Sequence, residues 1–408
     1  MVSDPGMRPA GSGQASKCAH DNPTFYDVDI YSDEVIAEPY GHYRAIRDSG
    51  PAVWLPRNEL WAMGRFADVR AVLMDHARFS SARGIAANEL INSASIGNTI
   101  TSDPPEHTKM RRIIRAPLTA PALKDVAPRI EAEADALVER LVKQGSFDAI
   151  EDCARHLPVS IVSDLVGLPE DGRANMLRWA AATFDALGAM NPRGAAALPQ
   201  IQELHAYCRD PSTISRLRSD GWAAAIWKAA ERGEIPMDKC PVMMRDYISP
   251  SLDTTIFATG SLIWFFGKNL DQWDLVRRDL SLISSAINEA VRLESPIRGF
   301  TRVVVEDTVW DGVKLSAGSR ILALYASANR DERKWEEPEK FDVRREVRDH
   351  LGFGIGAHVC AGMHLARLEI TALMTAFARR VSRFELGEPV RAVNNVLRGF
   401  ASLPVTVR

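Results

Sequence analysis

The chain has 408 residues, 46% of them hydrophobic, enough to bury one large core or two ordinary ones. Its 50 Lys and Arg nearly balance its 53 Asp and Glu, which excludes a whole-chain field that recruits nucleic acid or an anionic membrane. The cysteines, Cys18, Cys153, Cys208, Cys240 and Cys360, are few, odd in number and scattered; they form no disulfide framework and point to the reducing cytoplasm.

Residues 1–22, "MVSDPGMRPAGSGQASKCAHDN", are polar and rich in Gly, Pro and Ser, without the apolar core of a signal peptide. They read as a loose arm ahead of a single domain over 23–408. From about Pro39 the apolar spacing is helical, in "GHYRAIRDSG", "FADVRAVLMD", "IEAEADALVERLVKQG", around Leu275, and in "LARLEITALMTAFARRV". Strand-like runs are confined to "AVWLPRNELWAMG" from Ala52, to Thr301–Ser327, and to the final "ASLPVTVR". The expected fold is mainly α with a minor β region, in one large domain. The longest apolar run, Thr255 to Phe266, is about a dozen residues, short of the about 20 that a spanning helix needs.

Four segments carry chemistry. In "DPPEHTKMRR", His107 and Arg111 stand four apart, on one helix face, where two donors suit a carboxylate. In "RDYISPSLDTTIFATG", Asp253 and Thr254 put an acid and a hydroxyl on an otherwise apolar helix, a placement costly unless the groups are partnered or used. Pro250, just ahead of them, removes a backbone hydrogen bond and distorts a helix there. In "INEAVRLESP", Glu289 and Arg292 are three apart and share a face, as an ordinary ion pair would.

The fourth segment, "HLGFGIGAHVC", ends at Cys360. Glycines at alternate positions spoil a strand and admit a sharply bent backbone or a close flat neighbour. An amphipathic helix follows, so Cys360 lies at or just before a helix N-terminus, where a thiolate is favoured. Three readings fit a lone cysteine here: a buried structural thiol, a zinc site with His350, His358 and His364, and a thiolate ligand of haem iron. The zinc reading lacks the paired ligands at short spacing that such sites show.

"FGIGAHVCAG", Phe353 to Gly362, resembles the F-G-x-G-x-H-x-C-x-G signature of the cytochrome P-450 family, the haem-thiolate monooxygenases. The resemblance implies haem b as cofactor, with Cys360 as the axial iron ligand, Phe353 and Gly354 in the loop beside the sulfur, and His358, His107, Arg111 and Arg302 toward the propionates. It implies that Asp253 and Thr254 govern proton delivery to bound oxygen, and that Glu289, Arg292 and Arg345 form a structural triad beneath the cofactor. "PSLDT" departs from the family's A-G-x-D-T at Pro250 and Ser251. No flavin or nicotinamide fingerprint is present, so the implied electron source is a ferredoxin with its reductase. A monomer in the cytoplasm is expected, using a local basic patch drawn from Arg111, Arg112 and Arg367.

Further stretches, "AVWL", "FDAI", "FDALG", "SLDTT" and "LRGFASLPV", resemble the bacterial members that oxidise para-substituted benzoates. By that likeness Ile100, Phe184, Leu187, Ile297 and Phe300 line an apolar slot, with Arg245, Asp246 and Ser249 in its wall. The expected reaction inserts one oxygen atom of dioxygen into a small aromatic, by hydroxylation or O-demethylation of an aromatic acid, phenol or methoxyarene. Alternatives are a terpene or compact alicyclic substrate, or a haem protein with impaired oxygen activation. The 85–102 segment holds no arginine, and Asp246 replaces a serine of the benzoate oxidisers. A substrate carboxylate would therefore need Arg245 or Arg298 to offset the repulsion.

Overall fold

The computed structural model describes residues 24–408; the arm expected over 1–22 lies outside the described residues. Helices make the bulk of the structure and short strands form two main sheets. In the larger sheet the spatial order is 53–55, 60–63, 320–323, 300–304, 79–80. Val53 pairs with Ala62 across a hairpin, and Trp61 pairs in parallel with Ile321. Phe300 lies antiparallel to Ala323, which fixes Arg302 opposite Ile321. A smaller sheet sets Pro404–Val407 between Ser146–Asp148 and Phe384–Leu386. The expected β region at Thr301–Ser327 thus splits between the larger sheet and a separate hairpin of Thr308–Trp310 with Val313–Leu315.

The helical spacing read from the sequence becomes packing. In the Ala127–Gln144 helix, Ile130, Ala134, Leu137, Val138 and Leu141 are buried along one stripe. Gly145 then stops it at φ 79, a conformation that costs glycine nothing. Onto this stripe packs the Met363–Ala378 helix, which also touches Ile283–Leu293. The Asp253–Lys268 helix is apolar on nearly all sides and is correspondingly sunk in the core. Phe265 stacks on Phe341 with ring centroids 4.7 Å apart, and Phe266 meets Trp273 at the same separation.

At Pro250 the sequence predicts one distorted helix; the structure makes two. Cys240–Ile248 ends, four residues follow, and a second helix starts at Asp253. Pro250 supplies no N–H to the Asp246 carbonyl, and the Ser251 hydroxyl donates to the next carbonyl, that of Tyr247. Among the described residues no helix is long and apolar enough to cross a membrane.

Candidate active site

A bent loop presents the cysteine. His350 Nδ1 accepts from the Gly352 N–H at 3.2 Å, and the Cys360 N–H donates to the Phe353 carbonyl at 2.8 Å. Gly354 and Gly356 take φ 66 and 72, a region in which side chains are strained. A Cβ at Gly356 would also sit 3.1 Å from the Leu73 carbonyl oxygen. Burial, then Arg367 and Arg292, pushes the His350 pKa down to about 3, so this ring is a neutral acceptor.

Beneath the loop the acid and arginine of "EAVR" form a buried pair. Arg292 Nε and Nη2 donate to the two Glu289 oxygens at 2.7 and 2.8 Å, and both side chains are fully buried. Arg345 adds a bond to Glu289 Oε1 at 3.0 Å. Arg292 also donates to the Asn329 carbonyl at 2.8 Å, while Asn329 Oδ1 accepts from the Leu351 N–H at 2.7 Å. The triad therefore grips the start of the cysteine loop through one asparagine.

Cys360 opens into an internal cavity of about 290 Å³. Burial raises its thiol pKa, while the N–H groups of Gly362 and Met363 and the Arg111 and Arg367 guanidiniums pull toward the thiolate. Arg367 lies over the Phe353 ring, 5.1 Å from its centroid, and bonds Asn288 at 2.7 Å. Arg111 donates to the Val359 carbonyl, next to the cysteine. Of the three arginines expected on a docking patch, Arg111 and Arg367 are thus engaged around the thiol; Arg112 is exposed and bonds Glu234 at 3.0 Å.

A second set joins two guanidiniums to two imidazoles that are short of partners. The His107 and His358 rings lie tilted against each other with centroids 4.4 Å apart, and the Nε2 of each is buried without a hydrogen bond. Arg302, buried beside them, donates to the Thr301 carbonyl at 2.8 Å. Burial, followed by Arg302, His107 and Arg111, drives the His358 pKa down to about 2. Two orphaned imidazoles and two guanidiniums in one dry corner fit an anionic ligand. With a soft thiolate donor facing the same cavity, the set fits iron protoporphyrin: Cys360 for the iron, and Arg302, Arg111, His107 and His358 for the propionates.

Asp253 and Thr254 point to different places. Thr254 lines the cavity with Cys360 and Ala258, and its hydroxyl donates to the Pro250 carbonyl at 3.0 Å. Asp253 is buried with Oδ2 unpartnered and lies outside the cavity lining. Burial raises its pKa to about 7, with Arg155 lowering and Asp185 raising it in smaller measure. It is poised to hold or give up a proton near neutrality.

All the slot residues named from the sequence, Ile100, Phe184, Leu187, Ile297 and Phe300, line this cavity. Arg245, Asp246 and Ser249 line it too. Arg298 does not: it donates to the carbonyls of Ile30 and Asn395 and to the Tyr43 hydroxyl. It is tied into the core and is no counter-charge for Asp246, which corrects one sequence expectation. Two residues escaped that reading. His205, on Pro192–Arg209, meets Arg245 in the cavity wall. Glu369 is buried on the Met363–Ala378 helix with both oxygens unpartnered, its pKa raised by burial to about 8. Its signal was available: a lone acid on an apolar face of "LARLEITALM".

The sequence profile of the family described as Cytochrome P450 matches residues 268–406. Cytochrome p450 CYP199A2 of Rhodopseudomonas palustris is 33% identical over 93% of this chain and 93% of its own. Linalool 8-monooxygenase of Pseudomonas putida is 28% identical over 95% of this chain and 99% of its own. The crystal structure of CalO2 superposes with a TM-score of 0.80 at 26% identity, covering 94% of this chain and 99% of that one. A thiol-bearing glycine loop, its buried Glu–Arg support, the cationic corner and this extent of likeness agree: the chain belongs to the cytochrome P450 family of haem monooxygenases.

Proposed function

We propose that this P450 inserts one oxygen atom of dioxygen into a small aromatic compound, by hydroxylation or O-demethylation, with electrons from a ferredoxin. The observation that carries the reading is the cavity's division. Its walls are apolar, from Ile100, Phe184, Leu187, Ile297 and Phe300, and the polar groups that line it are few, Cys360 and Thr254 on one hand and Arg245, Asp246 and His205 on the other. Such a slot orients a flat molecule by its polar head and offers its far end for oxidation.

Haem, the family's cofactor, supplies oxygen activation when bound. The chain does the rest. Arg302 and Arg111 would offset the charge of its propionates with His107 and His358 as uncharged hydrogen-bonding partners, and the N–H groups of Gly362 and Met363 would face the Cys360 sulfur, opposing the rise that burial imposes on its pKa. Phe300 and Ile297 exclude water from the slot, and Thr254 offers a hydroxyl proton within it. Asp253, its pKa raised by burial to about 7, would resupply that proton from outside the slot. No nicotinamide or flavin motif supplies electrons from within the sequence, and exposed Arg112 gives an acidic ferredoxin one point of attachment.

The test is turnover of para-methoxy aromatics by the haem-loaded protein with a ferredoxin, its reductase and labelled dioxygen. Release of formaldehyde with one labelled oxygen per turnover is expected. Oxidation of linalool but no aromatic would move the assignment to a terpene.

A further inference from the structure

One part of the slot's wall is built by two adjacent residues of opposite charge on the Cys240–Ile248 helix. Arg245 is buried and its guanidinium donates to His205 Nε2. That bond requires a neutral imidazole, and burial together with Arg245 and Arg209 keeps the His205 pKa down to about 4. Asp246 Oδ2 accepts from the Thr99 N–H at 3.1 Å. Thr99 belongs to the segment that lacks an arginine, and with its neighbours Asn98 and Thr101 it brings only uncharged groups to the cavity.

Charge on this part of the wall therefore nearly cancels. The groups facing Asp246 are Arg245 from its own helix, Arg111 from Glu106–Arg115 and Thr99 from the facing loop, with neutral His205 beyond Arg245. Arg111 is already engaged beside Cys360. A substrate carboxylate placed here would set two carboxylates against one free guanidinium, and one of them would have to take up a proton. Asp246 is the group disposed to do so, since burial raises its pKa to about 6. An ammonium head would meet Arg245 with nothing to spare. A neutral head that donates to Asp246 and accepts from Arg245 satisfies both without any change of charge.

Asp246, Pro250 and Thr254 are spaced four apart and all line the cavity.

We propose that Asp246 and Arg245 together make this slot selective for an uncharged aromatic whose head group both donates and accepts a hydrogen bond, a primary carboxamide foremost, and that an aromatic carboxylate enters only with uptake of a proton by Asp246. The proposal rests on the small-aromatic reading above.

The experiment is a titration of the ferric haem-loaded protein, read by the Soret shift, with para-methoxybenzamide, para-methoxybenzoate, para-methylanisole and para-methoxybenzylamine. At about pH 8 the benzamide should bind at least about tenfold more tightly than any of the others. Benzoate affinity should fall about a hundredfold between the acid limit and pH 8, because Asp246 must then be protonated two units above its pKa. Asp246→Ser should abolish that pH dependence and swing the benzamide-to-benzoate ratio at least about tenfold toward benzoate. Asp246→Asn, the smaller change, should abolish the pH dependence as well. A normal carbon monoxide complex of each reduced variant shows that it is folded and loaded. Benzoate or benzylamine binding as tightly as benzamide at pH 8, or a ratio unmoved by Asp246→Ser, overturns the proposal and leaves the aromatic reading standing. If no aromatic shifts the band of a protein that forms its carbon monoxide complex, the aromatic reading falls and this proposal with it.

Discussion

Asp253→Asn should make the protein more stable and less active, by an amount that depends on pH. The carboxyl is buried, Oδ2 has no partner, and its pKa stands at about 7 against an ordinary 3.8. Between those two values the folded chain holds a proton that the unfolded chain has lost. Stability from this group is therefore complete below the unfolded pKa and declines as pH rises, until the folded pKa is passed. Three pKa units at about 1.4 kcal/mol each set an upper limit of about 4 kcal/mol. Asparagine, of the same shape and never charged, escapes the loss. Urea titrations of variant and parent should differ by about 1.5 kcal/mol near pH 5 and by up to about 4 kcal/mol above pH 8, in favour of the variant. Product formation should drop about tenfold to a hundredfold, as expected when a proton donor is removed. A variant less stable than the parent at pH 8 would falsify the reasoning, because it would mean that the carboxylate is charged and held by Arg155.

Other substitutions probe the remaining parts of the site. Glu289→Gln strands Arg292 in a fully buried position and should cost about 3–5 kcal/mol, read as an early loss of Soret absorbance in urea; a cost under about 1 kcal/mol would show that the triad does not hold the loop. Thr254→Ala, which removes the one hydroxyl bonded to Pro250, should divert electrons to hydrogen peroxide, raising peroxide per product severalfold at little change in substrate affinity. An unchanged ratio removes Thr254 from proton delivery. Cys360→His should leave haem held by Arg302, Arg111, His107 and His358 yet move the Soret band of the reduced carbon monoxide complex to the position of an imidazole ligand. A band that stays at the thiolate position excludes Cys360 as the ligand.

What the sequence made legible was local. The Ala127–Gln144 stripe followed from periodicity and the Asp253–Lys268 helix from its long apolar run, because their burial pattern is a direct image of the sequence. Glu289 and Arg292 could be placed on one face by spacing alone, but their burial came from the segments folded over them, Asn329, Pro338 and Arg345 among them. Spacing does not report such long-range cover. The same limit explains Arg298. Next to a slot residue in sequence, it points to the opposite side, because Ile30, Tyr43 and Asn395 converge on it from distant parts of the chain. His205 was missed for the converse reason: nothing near it in sequence is functional, and only the packing of Pro192–Arg209 beside Cys240–Ile248 brings it to Arg245.

The break at residues 249–252 joins these observations. In a continuous helix, changing the substrate-facing residues would transmit strain along one rod to the acid and hydroxyl that route protons. Here Arg245 and Asp246 sit on one helix and Asp253 and Thr254 on the next, with the Ser251 and Thr254 hydroxyls closing the carbonyls of Tyr247 and Pro250 between them. Two short rods joined by side-chain bonds bend more easily than one. The first is tied to its loop at Thr99, and the second is packed into the core through Phe265 and Phe266. On the function proposed above, selection of the substrate head and delivery of the proton would thus fall to different helices, with Asp246 on the first and Thr254 on the second, both lining the one cavity.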